Sequence, residues 1–296
     1  LKKIKTNALP ILRSEILKKK FVGQLSLIFL TFLWGTTFSF IKVVVNEIGF
    51  AYYVALRYGL ATFLLFFVAL FNKKENIGEK LKPGFILGIL YFFGISLQGL
   101  GMEYTSASSA AFITGLSVVI VYVIEVISGR EKPSAKLAIA IALSVLGLYF
   151  LSFSGFTVPN LGDLIVLAGA FFWALQIIAT GKYSRNSNLF YLLMFESFFT
   201  AISATLFFPF VKMPSVNSIL GVLLPLAYLS FFCTIIANAL QLYGQRLVSN
   251  TEAAIIYLLE PVIAALFSHI TIGEQLGINQ IVGAVAIILA MAISSI

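Results

Sequence analysis

Charge is scarce in this sequence: 11% of its 296 residues are Asp, Glu, Lys or Arg, less than half the roughly 25% of soluble globular proteins. A water-facing surface cannot be covered from that supply. Sulfur and imidazole are scarcer still, with one cysteine, Cys233, and one histidine, His269. A single cysteine excludes an intrachain disulfide. A lone histidine leaves a His/Cys metal cluster or a histidine-dependent nucleophile triad without the partners it needs. No G-x-x-x-x-G-K-[ST] phosphate loop occurs, so any transport draws on gradients and not on bound ATP. No catalytic residue, metal ligand or cofactor is assigned, and the chain is not read as an enzyme.

What is abundant is hydrocarbon, with 60% of the residues hydrophobic. A helix needs about 20 apolar residues to cross a bilayer, and ten such segments follow one another: about 21–45, 51–71, 84–102, 106–127, 135–153, 161–181, 189–210, 218–244, 251–270 and 277–296. Barrel strands would alternate in polarity over about ten residues, and these runs do not. The first run is too long for a signal-peptide core and lacks a small-residue cleavage pattern, so it reads as a retained helix. The net charge of +8 would suggest nucleic acid in a soluble protein, but its placement records topology instead. Apart from Lys42 and Arg57 inside helices, every Lys and Arg except Lys212 falls in the N-terminal tail or in loops on the same side of the membrane. The positive-inside rule then puts both termini in the cytoplasm, with the chain in the cell membrane.

The chain repeats itself. A shift of 139 residues lays Gly23, Leu25, Phe32 and Trp34 on Gly162, Leu164, Phe171 and Trp173, and sets Arg57 opposite Glu196. A shift of 143 lays Gln98, Gly101, Ser106, Ala110, Ala111 and Glu131 on Gln241, Gly244, Ser249, Ala253, Ala254 and Glu274, the four-residue difference being assigned to the loop around Lys212 to Ser218. The expected organisation is a basic tail over 1–20, a first five-helix unit over 21–153 and a second over 161–296. Because five is odd, the second unit enters from the opposite side. The expected fold is thus an all-α membrane protein, ten transmembrane helices in two five-helix inverted-topology repeats, the architecture of alternating-access transporters.

Trp34-Gly35 with Lys42, then Arg57, then Leu259-Glu260-Pro261, Gly273-Glu274, Gln280 and Gly283 together resemble the drug/metabolite transporter superfamily, in its ten-helix EamA-type exporters. The resemblance runs from Phe21 to Ile296. It implies export of small metabolites, often amino acids, with relatives that carry nucleotide sugars or phosphates. The sequence departs from the family where Ser117 and Val118 stand opposite Glu260 and Pro261, without the proline of the usual first half.

Polar residues inside a bilayer need a partner or a wet cavity. Thr234, Asn238, Gln241 and Gln245 form one helical stripe, matched through the repeat by Tyr91 and Gln98. Trp173, Gln176 and Thr180 form another, matched by Trp34, Thr37 and Ile41; Tyr257 with Glu260, and Thr114 with Ser117, complete the set. The substrate-binding expectation is Trp34, Thr37, Tyr91, Gln98, Trp173, Gln176, Asn238, Gln241, Tyr257 and Glu260 around a central cavity. The competing reading is interhelical hydrogen bonding alone. Glu260 lies ten residues from Asn250, about 15 Å deep, beside Pro261, which leaves the Tyr257 carbonyl without its helical donor. It is either a titrating or amine-binding carboxylate or a structural one. Lys42, Arg57 and Pro261 are the gating or vestibule candidates, although Arg57 and Glu196 are also expected to snorkel or pair locally, and Lys42 and Glu125 to snorkel. His269 reads as an interfacial residue, Gly84 and Gly88 as a packing pair, and the tail from Lys2 to Lys20 as either a surface anchor or a disordered, topology-setting segment. The expected partners are a small-molecule substrate, the lipid bilayer and protons as a coupling ion, with no nucleic acid. A nucleotide-sugar or phosphate-metabolite carrier of the same fold, or a non-transporting scaffold, is the alternative.

Overall fold

In a computed structural model the described residues are 2–71, 77–105, 107–152, 160–185, 187–272 and 277–295. Lys73, Lys74, Ser106, Gly273 and Glu274 lie outside them, as do the side chains of residues 2–14 and of His269. Helices follow one another as α1 (Lys2–Gly35), α2 (Thr37–Leu70), α3 (Ile77–Tyr104), α4 (Ala107–Gly115), α5 (Ser117–Ile127), α6 (Ala135–Ser152), α7 (Leu161–Ser184) and α8 (Leu189–Thr205). A 3-10 turn, Phe208–Phe210, precedes α9 (Val216–Gly221) and α10 (Leu223–Ser230). A π-helical turn, Phe231–Ile236, leads into α11 (Ala237–Gln245), and α12 (Asn250–Tyr257), α13 (Leu259–Ile272) and α14 (Ile278–Ser295) complete the chain. No strand occurs among the described residues. Seven helical runs are long and apolar enough to cross a membrane, and two shorter apolar helices span Ala135–Phe150 and Ile278–Ser294.

The first of those runs, Leu17–Leu70, is 54 residues long; besides the turn at Thr36 between α1 and α2, it leaves helical backbone at Gly49, where φ is 72° and ψ 160°. That conformation suits only a residue without Cβ. The chain doubles back there: the Trp34 indole N–H and the Arg57 Nη2 both donate to the Cys233 carbonyl, at 3.2 and 3.0 Å, although a straight helix would set the two residues about 35 Å apart. The backbone from Lys2 is continuous with α1, so the basic tail is helical where it runs into the first span. Where helices begin, side chains supply the missing acceptors: Asn160 and Asp163 form a capping box, and Ser249, Asn188 and Ser215 cap α12, α8 and α9.

Burial is inverted relative to a soluble protein. Phe63, Phe67, Phe71, Leu224 and Ile278 are exposed, whereas Arg57, Gln176, Glu196, Asn238, Gln241 and Gln245 are buried. Lipid welcomes the first set, and the second turns to partners inside the bundle. The helices approach closely at glycines. A Cβ on Gly23 would stand 3.1 Å from the Gly244 carbonyl oxygen, and one on Gly162 would stand 2.6 Å from that of Gly101. These close crossings of α1 on α11 and of α7 on α3 are the two ends between which the interior is built. Gly84 and Gly88 pack against Phe195 and Phe199 of α8, the packing use expected of that pair.

Overfilling such a contact costs about 1–3 kcal/mol. Gly162→Val is therefore expected to lower the thermal unfolding midpoint in detergent, whereas Gly221→Ala, with nothing within 4 Å of its added Cβ, leaves it within error. Static light scattering melts of the two variants check this directly.

Candidate functional site

A central cavity of about 70 Å³ lies between the helices, lined by residues from both halves of the chain. A buried water needs about 10–15 Å³ on this measure, so the space holds several. Its wall contains Trp34 and Thr37, Arg57, Tyr91 and Gln98, Trp173 and Gln176, then Gln241, Tyr257, Glu260 and Pro261. Of the substrate-binding expectation only Asn238 is off the wall; it accepts from the Tyr91 hydroxyl at 3.2 Å, one layer behind. Lys42 is also elsewhere. Its ammonium donates to the carbonyls of Met102 and Thr105, where a cation complements the C-terminal end of α3.

One side of the cavity is aromatic. Trp34 stands between Tyr257 and Trp173, with centroids 5.5 and 6.5 Å away, and Tyr91 meets Trp173 edge to face at 4.7 Å. The Trp173 indole N–H has no hydrogen-bond partner among the described residues.

Arg57 does not snorkel, being 2% exposed. Its Nε donates to Thr234 Oγ1 at 2.7 Å, Nη1 to the Tyr53 hydroxyl at 2.5 Å and Nη2 to the Cys233 carbonyl. The rings of Tyr53 and Tyr58 lie 5.8 and 5.3 Å from the guanidinium carbon, a favourable cation–π distance. The Cys233 carbonyl belongs to the π-helical turn, whose wider i to i+5 pattern is a frequent feature of functional sites. Tyr53 could have been found from sequence, since it sits one helical turn from Arg57; the π turn leaves no such signal.

The amide stripe divides its work. Gln176 and Gln241 exchange hydrogen bonds, Gln176 Nε2 reaching Gln241 Oε1 at 3.3 Å and Gln241 Nε2 reaching Gln176 Oε1 at 3.1 Å. Gln245 donates to the Ile177 carbonyl and accepts from the Tyr257 hydroxyl. Gln98 donates to Thr114 across the first half at 3.0 Å. Glu260 lines the cavity without a hydrogen bond or ion pair to any described residue, so the kink at Pro261 does not consume its carboxylate. Glu196 is fully buried and Glu125 is buried beside Arg130 at 3.3 Å, so neither reaches for the surface as expected. At one end of the bundle Glu252 holds Gln24 at 2.5 Å and Lys20 at 3.4 Å, tying α1 to α12.

The chain was compared with known proteins. The family model described as EamA-like transporter family matches it twice, over residues 21–153 and 160–296. An uncharacterized transporter of Archaeoglobus fulgidus is 32% identical over 280 residues, covering 94% of this chain and 87% of that protein. The uncharacterized transporter YyaM of Bacillus subtilis is 24% identical over 273 residues, covering 88% and 89%. A solved crystal structure superposes with a TM-score of 0.73 at 13% identity, over 94% of this chain and 98% of that one, a likeness of fold alone. With two matched family units, a relative above 30% identity along nearly its whole length and helices fit to span a bilayer, the chain belongs to the EamA-like transporter family and is a multi-pass membrane transporter, not an enzyme.

Proposed function

We propose that this chain is a secondary transporter that exports an amino acid across the cytoplasmic membrane by alternating access. The observation that carries the reading is the cavity, where both tryptophans, the Gln176 and Gln241 pair, the Arg57 guanidinium and the unpartnered Glu260 carboxylate meet. A zwitterion has one group for each charge, and the aromatic wall suits an apolar side chain. Binding residues are then those of the expected set that line the cavity, with Asn238 orienting Tyr91, and Pro261 and Arg57 at points where helices bend or are held. Lys42 acts at the end of α3.

The membrane topology that goes with this reading is ten spans in two inverted five-helix units, a first over 21–153 and a second over 161–296, with both termini cytoplasmic and a basic segment over 1–20. The run Leu17–Leu70 counts as two spans because of the reversal at Gly49, and α6 and α14, which pack on one another, supply two more. Two units of opposite sense can open one central site to either side in turn. A nucleotide-sugar or phosphate carrier would need more than the single guanidinium on this wall.

Purified protein in liposomes is expected to take up at least one of a panel of radiolabelled amino acids. Glu260→Gln removes a charged acceptor worth about 1.5–3 kcal/mol, so half-saturation should rise about 10–100-fold. Uptake of none of the panel, or an unchanged half-saturation in the variant, counts against the reading. Reporter fusions should place residue 78 on the cytoplasmic side and residue 160 outside; a shared side would remove the inverted arrangement.

A further inference from the structure

The Glu196 carboxylate lies behind the cavity wall, fully buried on α8. Its Oε1 accepts from Gln176 Nε2 at 3.1 Å, while its Oε2 has no hydrogen-bond partner among the described residues. The elements around it bring little that could balance a charge. From α3 come Gly88, over the Glu196 carbonyl, and Tyr91; α7 brings Gln176 and Thr180 and α11 Gln241, and α2 packs along α8. The remaining titratable side chains on those helices are Tyr191 on α8, Asp163, Lys182 and Tyr183 on α7, Tyr243 on α11, Glu79, Lys80, Lys82, Glu103 and Tyr104 on α3, and Lys42, Glu47, Tyr52, Tyr53, Arg57 and Tyr58 on α2. Arg57 is held by Tyr53, Thr234 and the Cys233 carbonyl, Lys182 is exposed over the Tyr183 ring, and no cation of the described residues ion-pairs with Glu196. A bare carboxylate in that position costs several kcal/mol; a carboxyl with its proton on Oε2 does not.

We propose that Glu196 is a proton-binding site that sets the state of Gln241 on the cavity wall through Gln176. As a coupling element it rests on the transporter reading above; as a proton site it does not. Gln176 Nε2 carries two hydrogens and faces three acceptors: Thr180 Oγ1 at 2.9 Å, Glu196 Oε1 at 3.1 Å and Gln241 Oε1 at 3.3 Å. When the Glu196 proton leaves to water, Oε1 becomes part of a carboxylate, and hydrogen bonds to charged acceptors are about twice as strong as neutral ones. The longest of the three contacts, to Gln241 Oε1, gives way. That oxygen, on the cavity wall, is then free to accept from an N–H group of a ligand, and protonation of Glu196 recloses the amide pair. Proton and N–H ligand therefore oppose one another, and by linkage each weakens the other to the same extent. Opposed binding of this kind is what exchange of an outgoing ligand for an incoming proton requires.

Trp34 and Trp173 are the only tryptophans of the chain and both line the cavity, so intrinsic fluorescence reports the wall without any transported substrate. The experiment uses protein carrying Glu260→Gln, which removes the carboxylate on the wall itself, titrated in nanodiscs from mildly acidic to mildly alkaline pH. The expected result is a fluorescence transition and, on its acidic side, the infrared carbonyl band of a protonated carboxylic acid. Adding Glu196→Gln should abolish both, and adding Gln176→Leu should abolish the transition while leaving the band. The proposal is overturned by absence of the band and transition in the Glu260→Gln protein, by their survival with Glu196→Gln, or by a transition that survives Gln176→Leu, the last deciding the matter even where Glu196→Gln does not fold. An amino-acid panel without flux would sink the amino-acid reading and leave these readouts standing; their loss would leave that reading in place.

Discussion

A polar group inside hydrocarbon has no water to fall back on, and most of this interior follows from that constraint. Arg57 illustrates it. A guanidinium with five donors is held without an acid, by a hydroxyl on its own helix, a threonine and a carbonyl from the π turn. Without the arginine the Tyr53 and Thr234 hydroxyls would lose its N–H groups and the Cys233 carbonyl would keep only the Trp34 indole, so the arginine and the distorted helix stabilise one another. The amides behave in the same way: Gln176, Gln241 and Gln245 knit α7 to α11, and Tyr257 brings in α12. On the cavity wall this mutual satisfaction is incomplete. Glu260 and the Trp173 N–H have no hydrogen-bond partner among the described residues, and a ligand or water is the natural supplement.

The walls can be assembled around such a space because backbone meets backbone elsewhere. Gly23 on Gly244 and Gly101 on Gly162 bring the two backbones close because neither glycine carries a Cβ. The same sequence shifts that define the repeat carry Gly23 onto Gly162 and Gly101 onto Gly244. The two crossings are thus the same contact written twice in the sequence, and the polar interior lies between them. Contacts that lack interlocking side chains are also those that resist sliding least.

The sequence made the helical class, the membrane setting and the cavity wall legible because those depend on composition and on spacing along single helices. Trp34, Trp173, Gln98 and Gln241 were readable from periodicity and the repeat alone. Depth measured along one helix was a poorer guide. It set Arg57 and Glu196 close to opposite surfaces, to snorkel or pair locally, whereas burial depends on which neighbours cover a residue: α2, α3 and α11 pack on α8, and Gln176 of α7 reaches the Glu196 carboxylate. Asn238 was read as wall for the same reason; its stripe is right, but Tyr91 stands in front of it. The turn at Gly49 was bracketed by the apolar runs but not its form, since a near-continuous helix from Lys2 to Leu70 leaves only one residue out of register.

The π turn at Phe231–Ile236 has a further consequence. Its pattern accommodates one residue more than the plain helix of α3, its counterpart in the repeat, so part of the four-residue length difference between the halves resides inside a helix and not only in the loop before it. Two halves of unequal winding cannot be mirror solutions of one another. If they trade shapes during transport, the inward-facing and outward-facing forms differ in energy even with no ligand bound, and the molecule carries a resting preference in its backbone.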